Sequence, residues 1–486
     1  MKTLFLFLFS FAQIAAQSVS FDEYFTDKTM RIDYYHTGEA KSEIVTPDHI
    51  YRYGIWAGNL VNLIDNFNNG TYYYKIFDES SRKLIYSKGF DSYFKEYQTS
   101  DPAIKGIKKT FRESALVPFP KNKIKFMIEK RDKKNKLKEI YSEVIDPSDI
   151  YILDEAVDTA GVTVYKEYNG GNHHKTVDVV ILGEGYTKSE KSKFEKDLKH
   201  FTDLFLSQEP YKSLKDKFNL YGVYKASVES GCDNPGAGIY KNTLLSTTYY
   251  SLGSERYILT EDNKTMRDVA ANVPYDAIYI MVNESRYGGG GIYNLYCTFV
   301  SDNQFSDYIF LHEFGHSFSG LADEYYTSDV AYNDFYPKGL EPVEPNITRL
   351  MTKNNLKWKS LVTPGVEIPT PWEKESYDKF DLAWQKVRRE LNEKIASLQR
   401  SKASENEIDK MKEQYNTLDK QHSDAVDSML QHSKFWGKVG AFEGAGYSSK
   451  GMYRPMIDCI MFSKGAKPFC KVCEESIKKV IAHYTE

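Results

Sequence analysis

The sequence predicts an α+β protein in which an N-terminal antiparallel β-sandwich domain precedes a domain that combines a mixed sheet with helices. Short segments rich in aromatic and β-branched residues, broken by Asn-Gly and Asp-Pro turns, fill the first third of the chain. Farther on, a buried-strand run leads directly into an amphipathic helix, which is typical of a mixed sheet covered by helices. A long stretch rich in Lys and Glu, with helical spacing of its apolar residues, predicts an inserted helical hairpin.

Residues 1–16 have the pattern of a secretory signal peptide. Lys2 precedes an apolar run over residues 4–12, and the small residues Ala15 and Ala16 follow. The run is much shorter than the roughly 20 residues that span a bilayer. We therefore expect cleavage near Ala16 and an exported protein, either secreted or held in the periplasm or at the cell surface. No later run approaches spanning length, so we expect no membrane span.

The N-terminal β-sandwich domain is expected over residues 17–160. Its predicted strands are short, partly alternating runs such as Arg31–Tyr35, Thr71–Phe77 and Ile124–Glu129. The region carries no recognisable chemistry, which favours a structural or binding module.

The second domain is expected over residues 161–486. The apolar run Val177–Leu182 predicts a buried strand, and Thr187 with Glu190 forms the capping box of the helix that follows. Asp276–Val282 predicts another strand. This alternation indicates a mixed sheet with covering helices.

A glycine run, Gly288–Gly291, follows that second strand. Its default interpretation is a flexible loop. The alternative hypothesis is that the segment Tyr287–Cys297 forms a sheet edge along which an extended peptide pairs.

Residues 373–435 differ in composition from their surroundings, being rich in Lys, Glu, Gln and Asp. Apolar residues fall three or four apart in two stretches on either side of Ser401–Glu405. This pattern predicts a helical hairpin inserted into the second domain, with its charged faces exposed to solvent. We assign no chemistry to it.

The overall charge indicates little about the binding partners of the protein. A formal net charge of −4 with 27% charged residues argues against a dedicated nucleic-acid binder, which normally has a basic surplus.

The five cysteines of an exported protein allow one or two disulfides. Cys470 and Cys473 have the spacing of half a zinc ribbon, but a closed site needs four ligands and no second such pair exists. The sequence therefore favours packing or a disulfide over a metal at these cysteines.

The segment from His312 to His316, His-Glu-Phe-Gly-His, places two histidines four residues apart. On a helix both project from one face and are able to bind a single zinc ion. Glu313 between them suits a general base, because it can accept a proton from a water whose pKa zinc has lowered. The apolar residues 308–311 before it are typical of a helix buried in the core.

The third protein ligand is expected just beyond this helix. Gly320 permits the chain to turn, and Asp323 and Glu324 then each offer a carboxylate, leaving the fourth zinc position for water. A gluzincin-type peptidase would instead take its third ligand from a glutamate farther on, such as Glu341 or Glu344.

Five segments carry a resemblance to a known family: His312–Tyr325, Gly440–Gly446, Tyr453–Pro455, Cys459–Met461 and Phe469–Cys473. They closely resemble the IgA-peptidase family of zinc metallopeptidases, which is named for an IgA-cleaving enzyme. The resemblance covers most of residues 170–486. Members of that family typically also have an N-terminal β-rich domain, in agreement with the pattern of the first third of this chain.

That family is in turn similar to the metzincins, in which a zinc-binding helix turns at a glycine toward a third ligand and a methionine turn underlies the metal. The resemblance implies a metzincin-like catalytic domain. It implies as zinc ligands His312, His316 and Asp323, with Glu313 as general base and Met461 in the methionine turn.

This sequence departs from the standard metzincin spacing. Gly320 and Asp323 each lie one residue farther from His316 than in that pattern. Glu324 therefore remains the nearest alternative to Asp323, and Met456 the alternative to Met461. Tyr325, Tyr453 and Arg454 are further candidates to assist at the site.

Together, the motif and the resemblance predict an exported zinc-dependent endopeptidase that acts on protein or glycoprotein substrates. The alternative is a zinc-containing glycan- or protein-binding module with narrow or no catalytic activity. Glu313 argues against this alternative, because a structural zinc site needs no unliganded carboxylate between its histidines. Neither cleavage specificity nor oligomeric state follows from the sequence.

Overall fold

The computed structural model describes residues 19–327, 336 and 339–486. The predicted signal peptide at residues 1–16 lies outside this range. Within the described residues, no helix is both long enough and apolar enough to cross a bilayer.

The N-terminal region consists of two antiparallel sheets, with strand orders β2-β1-β5 and β4-β3-β6-β7. Both sheets contribute to one apolar core, for example through Ile32 and Val117 from one sheet and Ile76 and Phe126 from the other. The elements in chain order are α1 (Phe21–Tyr24), β1 (Phe25–Glu39), β2 (Ser42–Arg52), β3 (Tyr72–Asp78), β4 (Leu84–Phe90), α2 (Tyr93–Gln98), α3 (Asp101–Ile104), β5 (Lys109–Pro120), β6 (Ile124–Arg131) and β7 (Leu137–Ile145).

The second region is built around a six-stranded mixed sheet of order β12-β13-β11-β9-β10-β8. The four central strands are parallel, and the two edge strands, β12 and β8, run antiparallel to their neighbours. The elements are β8 (Val162–Asn169), β9 (Val177–Glu184), α4 (Lys191–Ser207), β10 (Phe218–Lys225), α5 (Asn263–Ala270), β11 (Ala277–Val282), β12 (Gly289–Ile292), β13 (Tyr296–Val300), α6 (Ser306–Ser319), α7 (Lys374–Arg400), α8 (Glu405–Gln431), β14 (Phe442–Ala445), β15 (Ser448–Arg454) and α9 (Lys471–Thr485). The predicted α+β class is therefore confirmed.

Aromatic side chains fix α6 on the sheet. The Tyr279 ring of β11 stacks on Phe310 and Phe314, with ring centroids 4.4 and 4.8 Å apart. Such pairs contribute about 0.5–1.5 kcal/mol each beyond the area that they bury. The helix that carries the two histidines is thus held rigidly against a central strand.

The two regions are joined by a continuous core and by polar ties. Phe94 and Phe111 of the N-terminal region pack into the apolar core of the second. The guanidinium of Arg31 lies 2.6 Å from the Asp268 carboxylate. The backbone amide of Asp91 donates a hydrogen bond to the carbonyl of Tyr293 at 2.9 Å.

Helices α7 and α8 form the predicted hairpin, and a Ser404–Glu407 capping box starts α8. The sequence led us to expect exposed charged faces, but one face is docked on the second region. Arg388, which is buried, pairs with Glu255 at 3.1 Å. Buried Asp419 likewise pairs with Lys464 at 2.8 Å.

Candidate active site

The segment from His312 to His316 lies in α6, which begins at Ser306 and ends at Ser319. Gly320 ends the helix in the left-handed conformation (φ 58°) and donates its backbone amide to the His316 carbonyl at 2.9 Å. Glycine suits this position because it has no Cβ to strain the left-handed backbone. The turn directs the following residues back toward the histidines.

The two histidines are oriented by backbone carbonyls. His312 Nδ1 lies 2.9 Å from the carbonyl oxygen of Ile460, and His316 Nδ1 lies 2.6 Å from that of Leu321. A ring nitrogen that faces a carbonyl must carry the proton, which leaves the other nitrogen as a lone-pair donor. Both Nε2 atoms are therefore free to bind a metal, in the arrangement that metal-binding histidines normally show.

Asp323 completes a three-atom cluster with the histidines. Its Oδ1 lies 3.1 Å from His312 Nε2 and 3.2 Å from His316 Nε2, and the two Nε2 atoms are 3.2 Å apart. Ligands at 2.0–2.1 Å from a tetrahedral zinc ion are separated by about 3.3 Å. The donor set and its spacing therefore fit one zinc ion.

The side chains of this cluster shift one another's pKa values. Burial alone would raise the pKa of Asp323, but His316 and His312 beside it hold that pKa well below its usual value. Burial alone would lower the pKa of His316, but Asp323 and Glu313 raise it to about 9. An ionised carboxylate thus faces both imidazoles, and a divalent metal bound there would replace the proton that His316 holds.

Tyr447 and Tyr308 surround these ligands. The Tyr447 hydroxyl donates a hydrogen bond to Asp323 Oδ2, the carboxylate oxygen that does not face the histidines. The Tyr308 hydroxyl lies 3.2 Å from His312 Nδ1. Sequence reasoning did not identify either tyrosine, because neither belongs to the motif.

Glu313 lies next to both histidines. One of its carboxylate oxygens is within 4.8 Å of ligand nitrogens on both histidines, and it lines the same cleft. Burial raises the pKa of Glu313, although the two histidines partly counteract this shift. A carboxylate of raised pKa this close to the ligand atoms is suited to proton transfer.

The cluster lies at the base of a cleft with a volume of about 140 Å³. Its walls include residues of the N-terminal region, which sequence reasoning left without chemistry: Asn69, Asp91 and Glu96. The remaining wall is largely aromatic and polar, with Arg256, Tyr287, Tyr308, Tyr325, Tyr336, Glu344 and Tyr447. The N-terminal region therefore contributes to the site itself.

The other candidate ligands lie elsewhere. Glu324 points away from the histidines and lies 3.3 Å from the sulfur of Cys473. Glu344 lines the cleft but accepts a hydrogen bond from Tyr336 at 3.1 Å, and Glu341 accepts one from the Arg349 backbone at 3.0 Å. Among the described residues, neither glutamate groups with the histidines as a metal-binding set.

Met461 lies directly beneath the helix, and Met456 is at the periphery of the core. A Cβ added at Gly315 would lie 2.9 Å from the Met461 sulfur, so the two are in close contact. The backbone carbonyl of Met461 also accepts a hydrogen bond from the Glu324 amide at 2.8 Å.

The three further candidates to assist at the site, Tyr325, Tyr453 and Arg454, have different surroundings in the structure. The Tyr325 ring stacks against His312, with centroids 6.2 Å apart, and its hydroxyl lies 3.3 Å from Arg256. Arg454 is fully buried over the rings of Trp372 and Phe462. Arg454 is therefore a packing residue. Tyr453 belongs to β15 and does not line the cleft.

The glycine run is an edge strand and not a flexible loop. Three of its glycines are the first three residues of β12, which pairs antiparallel with β13. A Cβ at Gly291 would lie 2.4 Å from the Glu313 carbonyl oxygen and 2.9 Å from His316 Cβ. The flexible-loop interpretation was wrong because glycine here permits close approach between a strand and α6.

A smaller cavity of about 80 Å³ adjoins the cleft and is lined partly by the hairpin. It shares Tyr287, Tyr308 and Tyr325 with the cleft, and Trp384 and His422 of the hairpin form its far side. The hairpin thus borders the approach to the site.

The fold and the cleft define an α+β protein with a His-His-Asp cluster of metal-ligand spacing and a free carboxylate beside it. A sequence model described as IgA Peptidase M64 matches residues 167–481, and one described as Peptidase M64 N-terminus matches residues 20–142. The chain therefore belongs to the IgA Peptidase M64 family, which confirms the resemblance and makes it a peptidase by family. A comparison with curated proteins gave no match.

Proposed function

We propose that this protein is a zinc-dependent endopeptidase with a metzincin-like active site. The observation that carries the proposal is the spacing of 3.1–3.2 Å among His312 Nε2, His316 Nε2 and Asp323 Oδ1. These residues would hold the ion. Zinc bound there would lower the pKa of a coordinated water and polarise the carbonyl of the substrate.

Glu313 is the general base of this mechanism. Its carboxylate accepts a proton from the attacking water and then delivers that proton to the nitrogen of the leaving peptide. Ile460 and Leu321 support the step by keeping the histidine rings in the orientation that frees both Nε2 atoms. Met461 supports α6 from below.

An extended substrate would bind along β12. The amide and carbonyl of Gly289 face away from β13 and are already hydrogen-bonded to the Arg256 carbonyl at 3.3 Å and the Ile258 amide at 3.2 Å. Because backbone groups alternate in direction along an antiparallel strand, those of Gly291 also point away from β13, and Gly291 lines the cleft. Hydrogen bonds from a substrate backbone to Gly291 would align the scissile bond over Glu313. Full activity after replacement of the glycine run would contradict this binding mode.

Export remains part of the proposal, supported by the signal-peptide pattern at residues 1–16. N-terminal sequencing of the protein recovered from the producing cells tests it. A new N-terminus near residue 17 is the expected result, and an intact residue 1 would contradict it.

The deciding experiment compares the mature protein with Glu313→Gln. Each is assayed for zinc content and for cleavage of a broad peptide library, with immunoglobulin A included because the family description names it. We expect equal zinc at the histidine site and a rate at least about 100-fold lower in the variant. Equal zinc with no cleavage by either protein would favour the binding-module alternative, and absence of zinc at the histidines would exclude the mechanism.

A further inference from the structure

A second group of potential metal ligands lies behind the candidate active site. The sulfurs of Cys459, Cys470 and Cys473 and a carboxylate oxygen of Glu324 all lie within 4.8 Å of one another. Each of these residues is at least 97% buried, and none of the cysteines is in a disulfide. Residues from three separate parts of the chain thus converge on one point in the core.

The spacing of these atoms fits a tetrahedral ion. Cys459 Sγ and Cys473 Sγ are 3.9 Å apart, and Glu324 Oε1 lies 3.3 Å from Cys473 Sγ and 4.0 Å from Cys470 Sγ. Ligands around a tetrahedral zinc ion with Zn–S near 2.3 Å and Zn–O near 2.0 Å are separated by about 3.8 Å for two sulfurs and about 3.5 Å for sulfur and oxygen. A disulfide would require the two sulfurs to be about 2.0 Å apart.

Backbone amides favour the thiolate form of two of these cysteines. Cys459 Sγ accepts a hydrogen bond from the Cys470 amide at 3.1 Å, and Cys470 Sγ accepts one from the Cys473 amide at 3.5 Å. Cys470 is also the N-cap of α9, where the helix dipole stabilises negative charge. Thiolates, not thiols, are the form that binds metal.

The Glu324 carboxylate lacks the partners that a buried charge requires. Asn346 donates to Oε1 at 3.1 Å, whereas Oε2 is buried with no hydrogen-bond partner. Within the described part of the chain, no Lys or Arg nitrogen pairs with this carboxylate at 4 Å or less. The guanidinium of nearby Arg454 donates to the carbonyls of Gly444 and Ile457. Burying an unpaired carboxylate is costly, and a bound cation removes that cost.

We propose that Cys459, Cys470, Cys473 and Glu324 bind a second, structural zinc ion. All four positions of this site are filled by protein, so it is closed to water and substrate. Glu324 directly follows Asp323, and Cys459 directly precedes Ile460, whose carbonyl orients His312. The ion therefore fixes two chain segments of the active site. One carries the ligand Asp323, and the other carries the Ile460 carbonyl that orients His312.

Metal counting on the full mature protein tests this site. We expect about two zinc ions per chain, falling to about one in Cys473→Ser and in Glu324→Gln. Cys297→Ser is the matched control, because Cys297 is also buried and unpaired but lies outside the cluster, and it should keep both ions. Retention of full zinc content by both cluster variants would overturn the proposal.

Cobalt substitution separates the two sites, and its main readout uses the unmodified protein. Only a site with cysteine ligands gives an intense thiolate-to-cobalt charge-transfer absorption, so the unmodified protein should show it, and His316→Ala should retain it. One bound metal with this absorption would support the cysteine site and count against the histidine site. Absence of the absorption, or a disulfide between any two of the three cysteines in the mass spectrum, would overturn the proposal.

Discussion

Asp323 and Glu324 are neighbours in the chain, but their carboxylates belong to different clusters. Asp323 Oδ1 lies 3.1 Å from His312 Nε2, whereas Glu324 Oε1 lies 3.3 Å from Cys473 Sγ. The two carboxylates of this dipeptide, which follows the end of α6, thus belong to two different groups of potential ligands. The third ligand of the histidine site is therefore Asp323 in our proposal, and this choice can be tested directly.

Asp323→Ala should abolish or strongly weaken zinc binding at the histidine site, because it removes one of three protein ligands. Glu344→Ala is the matched control, since Glu344 lines the same cleft without contacting the histidines. Zinc affinity measured by competition with a chelator gives the comparison. Loss of zinc in Glu344→Ala with retention in Asp323→Ala would instead favour the gluzincin arrangement.

Tyr447→Phe should lower zinc affinity or catalytic efficiency by about 10–100-fold, the usual effect of removing a partner that orients a metal ligand. The variant removes only the hydroxyl that donates to Asp323 Oδ2. Tyr453→Phe on the neighbouring strand is the control, because Tyr453 pairs with Thr348 through its backbone at 2.8 Å. Similar effects of the two variants would show that Tyr447 acts only through general packing.

Gly291→Ala should reduce activity by at least about 10-fold and destabilise the fold by about 1–3 kcal/mol, because the added Cβ overlaps α6. In Gly290→Ala the Cβ faces the Tyr257 side chain on the opposite side of the strand, and a ring moves more readily than a helix backbone. Peptide-cleavage rates and urea denaturation of both variants provide the test. Equal activity in the two variants would show that β12 and α6 can separate without cost to catalysis.

Asp178→Asn should make the protein more stable in mildly alkaline solution. Burial and the neighbouring Asp276 raise the pKa of Asp178 to about 9, and burial raises the pKa of Asp276 to about 7. Both values exceed the unfolded value of about 3.9, so the stabilisation is full below about pH 4 and is lost as pH rises through the folded values.

The measurement for this prediction is urea denaturation at about pH 4 and about pH 8, where the variant should gain about 1–3 kcal/mol over the unmodified protein at the higher pH and little at the lower. Its amide should keep the hydrogen bond that Asn219 donates to Oδ1 at 2.7 Å. Glu155→Gln serves as the control, because it removes a carboxylate that is exposed. An equal gain at both pH values would mean that ionisation of the aspartates is not the cause.

The sequence alone determined the local features of this protein. The spacing of His312 and His316 predicted a helix with both rings on one face, and the periodicity of residues 373–435 predicted the hairpin. The capping box at Thr187 and Glu190 also forms as predicted. These features depend on residues a few positions apart, whose relative placement follows from the helix or strand that they form.

Tertiary structure decided how distant segments complete the sites. The Ile460 carbonyl that orients His312 is 148 residues from it, and the Asn69 amide that contacts the Gly320 carbonyl is 251 residues away. The cysteine cluster escaped prediction because its fourth ligand is a glutamate that lies 149 residues from Cys473 and not a second cysteine pair. Local spacing does not encode such contacts, since they arise only when the packing of the whole core brings separate elements together.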